Sequence, residues 1–339
     1  MNTPRRLLSA LAVTAAAALT LAACSSGGSS APADGSGDTG SAELTTLKVA
    51  TVGLVSDGAL ITGIEQGFFE EEGLEIETSI VANPPAALAA AQGGQVDIAY
   101  SPSVPLINAL SQGVDLRIVA GADALPDDGS ALDNARDFDD TGLFASAASG
   151  ITSVEDLAGK TISVPARKAQ MEVVIAAELE DAGIDPVSGV NWVALDNASA
   201  VAALQNGTID AAGIVSPFTA EAEAAGQTYL SSPSVAFFER GAVGLWVAGG
   251  STVENKADAV AAFQRAIAKA NQFANDNAEI ATQAGLDYTG SELAVADVKR
   301  PVWPAEVRVE DIQRPVDRMV TLGFLAQPID ISDVIVPVS

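Results

Sequence analysis

AALAAAQGGQVDIAYSP (Ala86–Pro102) and AVAALQNGTIDAAGIVSP (Ala200–Pro217) are two renderings of one pattern. Each begins as an Ala/Leu helical run, passes through Gly-x-(Val or Ile)-Asp, and ends as a short apolar strand closed by Ser-Pro. The two aspartates, Asp97 and Asp210, lie 113 positions apart. A repeat at that distance points to two lobes of related architecture and argues against a short-period solenoid.

The surroundings of each copy fit that reading. Before and after the first, Leu47–Gly53, Leu74–Val81, Val96–Tyr100 and Leu116–Gly121 have the composition of buried strands. Ala59–Gly67, Pro85–Gly93 and Val104–Gly113 fall between them as helices closed by glycine. Around the second copy, Thr161–Val164, Val190–Leu195 and Ile209–Val215 read as strands. Ala169–Ala182, Ala198–Asn206 and Phe218–Ala225 read as the accompanying helices. A later strand, Val243–Ala248, leads to helical runs at Val253–Asn275 and Val309–Leu322. Alternation of β and α at this spacing predicts an α/β fold of two lobes, each a mainly parallel sheet flanked by helices. The aspartate-rich stretch Asp123–Thr141 interrupts the rhythm and reads as a solvated loop. Its Asp137–Gly142 run begins like a calcium loop, but Ala148 stands where the twelfth position needs a bidentate Glu.

The amino terminus has a different character. Arg5 and Arg6 precede an apolar run, Leu7–Leu21, that ends in Ala22-Ala23-Cys24. This is the layout of a secretory signal, residues 1–23, and Leu21–Cys24 resembles a bacterial lipobox. Cys24, the chain's single cysteine, is then the lipidated first residue of the exported protein. The competing reading, an uncleaved membrane helix, meets a run at the short limit for spanning. Residues 24–46 are Gly/Ser-rich with little to bury, so they read as a flexible tether. A G-x-G-x-x-G match inside it, Gly35–Gly40, lacks the strand and helix that a dinucleotide site requires. Loss of residues 1–23 leaves 15 basic against 44 acidic residues. So acidic a surface repels nucleic acid and anionic lipid headgroups.

Two further motifs carry a family resemblance. Ile64–Leu74, with Gly67-Phe68-Phe69 and Gly73-Leu74, is similar to the "A-x-x-x-G-F-F-x-x-x-G-L" opening of the nitrate/sulfonate/taurine and thiamine-precursor group of ABC-transporter substrate-binding proteins. Ile151–Ile162 (ITSVEDLAGKTI) resembles that group's entry into its second lobe. The loop Leu54–Gly58 lacks the proline that many relatives place before the first helix. The resemblance implies a type II periplasmic-binding-protein fold. Lobe 1 is expected at 47–145 and 240–339, lobe 2 at 146–239, with hinges near Leu143–Ser146 and Gly241–Trp246. It also implies a monomeric capture protein without cofactor or metal, held on the outer face of the bacterial cytoplasmic membrane. It would hand a small organic solute to an ABC permease and its ATPase.

Ligands of open α/β sheets sit beyond the carboxyl ends of the strands. That rule selects Ser56 and Asp57, Asn83, Ser101, Arg167 with Lys168 and Gln170, Asn197, and Ser216 with Phe218. Arg167 suits a sulfonate or carboxylate through two parallel bonds, whereas Asp57 favours an amine or a zwitterion such as taurine; a pyrimidine-like heterocycle is a third option. Tyr100, Phe218 and Trp246 are candidate walls. The chain has no histidine, which leaves a zinc site or a triad without ligands. An enzyme on this fold is the weaker alternative. A lipid-anchored binding protein that signals to a membrane sensor is the stronger one.

Overall fold

The computed structural model describes residues 44–338. Cys24, the signal segment and nearly all of the expected tether lie outside the described residues. The first strand starts at Thr45, slightly before the tether's expected end at residue 46.

Ten strands form two five-stranded sheets. In chain order they are β1 (Thr45–Thr51), β2 (Leu74–Ile80), β3 (Ile98–Pro102), β4 (Leu116–Leu125) and β5 (Thr141–Ala145). They continue as β6 (Thr161–Val164), β7 (Asn191–Ala194), β8 (Ala211–Val215), β9 (Thr228–Ser231) and β10 (Gly241–Gly249). The sheets are ordered β2-β1-β3-β10-β4 and β7-β6-β8-β5-β9. In each, one strand runs against the other four: β10 is antiparallel to β3 and β4, and β5 to β8 and β9. The reversed strand is the one that brings the chain back from the other lobe.

The repeated sequence pattern has a repeated structural cause. Asp97 accepts the Lys48 N–H of β1 at 3.0 Å, while its own N–H bonds the Lys48 carbonyl at 2.8 Å. Asp210 does the same to Thr161 of β6, at 2.8 Å and 3.0 Å. Each Gly-x-(Val/Ile)-Asp turn thus pairs an otherwise open strand end and sets the register of the following strand.

Four expectations need correction. β5 lies in the second sheet, so Thr141–Ala145 does not belong to the first lobe, where a boundary at residue 145 placed it. The chain crosses between the sheets in residues 126–140 and again in residues 232–240, since Leu143 and Trp246 are paired strand residues and not hinge points. The helix expected over Val253–Asn275 is broken at Lys256 into Gly250–Asn255 and Ala257–Asp276. The aspartate-rich stretch is not simply a solvated loop. β4 runs on to Leu125, and Asp139, 3 % exposed, accepts the Ser234 and Val235 N–H groups that open helix Pro233–Phe238. An aspartate there satisfies donors that no helical carbonyl can reach.

Apolar packing joins the parts. Leu47, Val49, Leu60, Phe69, Tyr100, Trp246 and Phe263 form a core on one face of the first sheet. On its other face a single cluster continues from Leu88, Ile107 and Ile118 to Ile162, Val174 and Leu179 of the second lobe. Helix Val309–Thr321 contributes Val316 and Met319 to it, and Arg318 bonds Glu180 at 2.6 Å and Asp181 at 2.5 Å.

Helices Gly58–Glu65 and Ala278–Thr289 approach so closely that a Cβ at Gly58 would stand 1.8 Å from the Ala281 carbonyl oxygen. The obstacle is backbone and cannot rotate away. Gly58→Ala is expected to cost about 1–3 kcal/mol, read as a lower urea midpoint with an unchanged slope; an unchanged midpoint would refute the close packing.

Candidate ligand site at the strand ends

β1 leads through Leu54 into a short 3-10 turn, Val55–Asp57, and then helix Gly58–Glu65. The Asp57 carboxylate turns back to accept the Leu54 N–H at 2.8 Å and is 2 % exposed. Trp303 fixes the same loop by donating its indole N–H to the Ser56 carbonyl at 2.7 Å. Ser56 Oγ lies 3.5 Å from Asp123 Oδ2, near the end of β4. The Tyr100 hydroxyl and the Gly244 N–H also face Asp123. A side chain at position 244 would end this arrangement, because a Cβ there meets Asp123 Oδ2 at 2.1 Å and the Tyr100 ring at 2.7 Å.

A third carboxylate arrives from the second lobe. Asp140 directly precedes β5, and its carbonyl accepts the Ser216 N–H at 2.7 Å. Its side chain is exposed and has no ion-pair partner among the described residues. Burial raises Asp57 to about 7, with the neighbouring charge of Asp123 adding to it. Asp140 is raised as well, by the protein around it and by the charges of Asp139 and Asp123, although its side chain is exposed. Asp123 is raised to about 6 by burial, against the opposing effect of its donors. Loss of hydration disfavours the ionised form, and like charges close by disfavour it further.

Beside Asp140 lies a cavity of about 360 Å³. Asp139, Thr141, Phe144, Ser216 and Tyr229 form its second-lobe wall, and Leu293, Asp297 and Lys299, beyond helix Ala278–Thr289, close the other side. Arg136 lies over the Tyr229 ring, 4.1 Å from its centre, and is ion-paired with Glu223.

Sequence reasoning placed ten residues at this site, and the structure distributes them unevenly. Ser56 and Asp57 join the carboxylate group, and Ser216 lines the cavity. Arg167 instead grips Glu172 with both edges of its guanidinium, at 2.7 and 3.1 Å, and reaches the Trp192 carbonyl at 3.3 Å. Lys168 takes a left-handed backbone, φ 59°, which aims its N–H at the same Glu172 carboxylate. Gln170 opens the following helix with its Oε1 buried and unpartnered. Asn83 caps helix Pro84–Gln92 through the Ala86 N–H at 3.0 Å, and Asn197 accepts the Val215 N–H at 3.2 Å. Ser101 is buried and donates to the Pro102 carbonyl. Phe218 packs against the core around Val201 and Ile214, and Tyr100 and Trp246 meet edge-to-face in the first-lobe core. Asp123, Asp140 and Gly244 escaped the sequence reading. Asp123 and Asp140 belong to the aspartate-rich stretch, whose unusual density was the available signal.

The raised carboxyl groups make stability depend on pH. Unfolded, they ionise near 4; folded, the buried Asp57 and the half-buried Glu178 hold their protons up to about 7. The folded state therefore binds more protons between those values, and stability falls as pH rises through that window. The melting temperature is expected to be lower by several degrees at about pH 8 than at about pH 5. Asp57→Asn should flatten the slope and Glu77→Gln, on an exposed strand position, should not; equal slopes in all three proteins would contradict the assignment.

Comparison with known proteins supplies the context. A Brucella abortus (strain 2308) protein that carries the name of a binding protein is 28% identical over 253 residues, 72% of this chain and 71% of its own length. The periplasmic aliphatic sulphonate binding protein SsuA of Escherichia coli superposes with a TM-score of 0.67 at 18% identity, over 86% of this chain and 97% of its own. The periplasmic nitrate-binding protein NrtA of Synechocystis PCC 6803 gives 0.65 at 14% identity, over 86% of each chain. The desulfurization enzyme DSZB has the same fold, with a TM-score of 0.58 at 17% identity over 86% of this chain and 96% of its own. These likenesses establish the two-lobed α/β fold of the type II periplasmic binding proteins. The family model for the NMT1-like family matches residues 40–286, and on that extent of match the chain belongs to the NMT1-like family.

Proposed function

We propose that the protein is the substrate-binding component of an ABC importer, which captures a small solute between its lobes and presents it to a membrane permease. The observation that carries this reading is the convergence of polar groups from both lobes on one place. Ser56, Asp123 and, buried behind them, Asp57 belong to the first lobe, and Asp140 and Ser216 to the second, all at or next to strand ends, which supports a shared site. A ligand touching both sets favours the closed arrangement by its differential affinity, and the closed form is what a permease can distinguish from the empty one. Exclusion of water on closing strengthens those polar contacts.

The relatives support the same direction. A Brucella relative is named for binding, and SsuA and NrtA are binding proteins for sulphonates and nitrate. The enzyme DSZB shows that the fold also accepts chemistry. Here the raised carboxyl groups have no histidine or cysteine to work with, since the chain lacks the first and has only Cys24 of the second. We therefore read the pocket as a receptor. The signal-like segment and the lipobox resemblance support an exported protein anchored through Cys24 on the outer face of the cytoplasmic membrane. As a lobed carrier it acts as a monomer. Coupling to a membrane sensor in place of a permease remains the second reading, favoured by the anchor and tether alone.

Saturating the full chain with its solute is expected to shrink the radius of gyration in X-ray scattering and to raise the melting temperature. A ligand at about 100 times its Kd adds about 2.7 kcal/mol. Stabilisation without compaction would contradict capture by lobe closure.

A further inference from the structure

We propose that the cleft selects a ligand bearing a positively charged nitrogen group, a protonated amine or an amidinium, and rejects anions of the sulfonate and nitrate kind. The inference rests on the capture reading above and names the ligand class for the same site.

The charges facing the cleft decide it. From the first lobe come Asp57, on the turn after β1, and Asp123, near the end of β4, with the Tyr100 hydroxyl and Ser56 Oγ as their neutral neighbours. From the second lobe comes Asp140. The adjoining cavity adds Asp139, Glu223 and Asp297 against Arg136 and Lys299. Several of these are already matched. Asp139 is occupied by two backbone N–H groups and by the Thr141 amide and hydroxyl, and Arg136 is held by Glu223. Counted by charge, Asp57, Asp123, Asp139, Asp140 and Asp297 have no ion-pair partner, and Lys299 is the one basic side chain of the cavity lining without one, among the described residues. The basic side chains that might have offset this excess are engaged elsewhere: Arg167 with Glu172, and Arg308 with Asp127 and Asp311.

Carboxylates crowded into a partly dehydrated cleft repel one another, and only a proton or a cation relieves that repulsion. An arriving anion would add another like charge where water screens it only in part. An ammonium group brings a positive charge and several N–H donors to carboxylates that have neutral donors but no cationic partner, and charge-assisted bonds of that kind are the strong ones. The cavity beside Asp140, with Phe144 and Tyr229 in its wall, gives room for an organic body behind the charged head. Because the ligand must find the acids ionised, binding strengthens as pH rises through their titration, while an alkylamine stays protonated throughout.

The test uses the full-length protein and matched probes of equal length: butylamine and diaminobutane against butyrate and butanesulfonate, with nitrate as a small anion. Melting temperature is followed against concentration at about pH 8 and about pH 6. The amines should raise it by several degrees, more at the higher pH, and the anions should not. Asp123→Asn and Asp140→Asn should each weaken the amine effect by at least about tenfold, whereas Glu77→Gln, which removes one exposed charge, should leave it intact. Anions that stabilise while amines do not would overturn the cation assignment and leave the capture reading standing. Amines that stabilise equally well in both cleft variants would also overturn it. No shift with either class would bring down the capture reading itself.

Discussion

In both sheets an aspartate at the end of a glycine turn bonds the backbone of the lobe's first strand, Asp97 to Lys48 and Asp210 to Thr161. Much of the molecule hangs on that contact. It locks β3 beside β1 and β8 beside β6 in one register, and a strand register cannot slip by one residue without exchanging its two faces. With the register set, the Ser-Pro pairs that end β3 and β8 fall at the carboxyl ends of the strands. The reversed strands β10 and β5 then slot in between β3 and β4 and between β8 and β9. Each lobe is completed by a strand delivered from the other, so the two lobes fold as one unit with a cleft between their strand ends.

Charge gives that cleft its character. The chain is acidic throughout, at −27, but an exposed carboxylate costs little in water. Asp57 is buried and Asp123 half-buried, and neither they nor the exposed Asp140 has a guanidinium or ammonium opposite among the described residues. Such uncompensated charge is a standing cost to the empty protein. It persists where the surrounding structure is stable enough to carry it and where a ligand relieves it. SsuA and NrtA share the fold with this chain at 18% and 14% identity, a distance at which loop residues are free to change. A common scaffold with a cleft of different charge is what the separation of fold from function leads one to expect.

Much of the fold was legible in the sequence because its signals are local. Ala-rich helices, Val/Ile strands and the repeated Gly-x-(Val/Ile)-Asp turn each report on a few neighbouring residues. The parts missed depend on distant partners. Nothing in Thr141–Ala145 itself says that it pairs with β8 and not with the first sheet, and Asp139 looks solvated until helix Pro233–Phe238 is placed on it. Of the residues that the strand-end rule selects, Ser56, Asp57 and Ser216 fall in or beside the proposed pocket. Arg167 satisfied the same rule, but Glu172, five residues on, claims its guanidinium. Asp123 and Gly244 belong to neighbouring antiparallel strands, so their meeting is a property of the sheet and not of either segment.

The central claim is that this cleft holds a small solute and that the solute is a cation. The most direct measurement is mass spectrometry of the small molecule released when the full chain, isolated from its own host, is denatured. The account predicts a stoichiometric compound carrying a protonated amine or amidinium. A stoichiometric sulfonate, carboxylate or nitrate would contradict it.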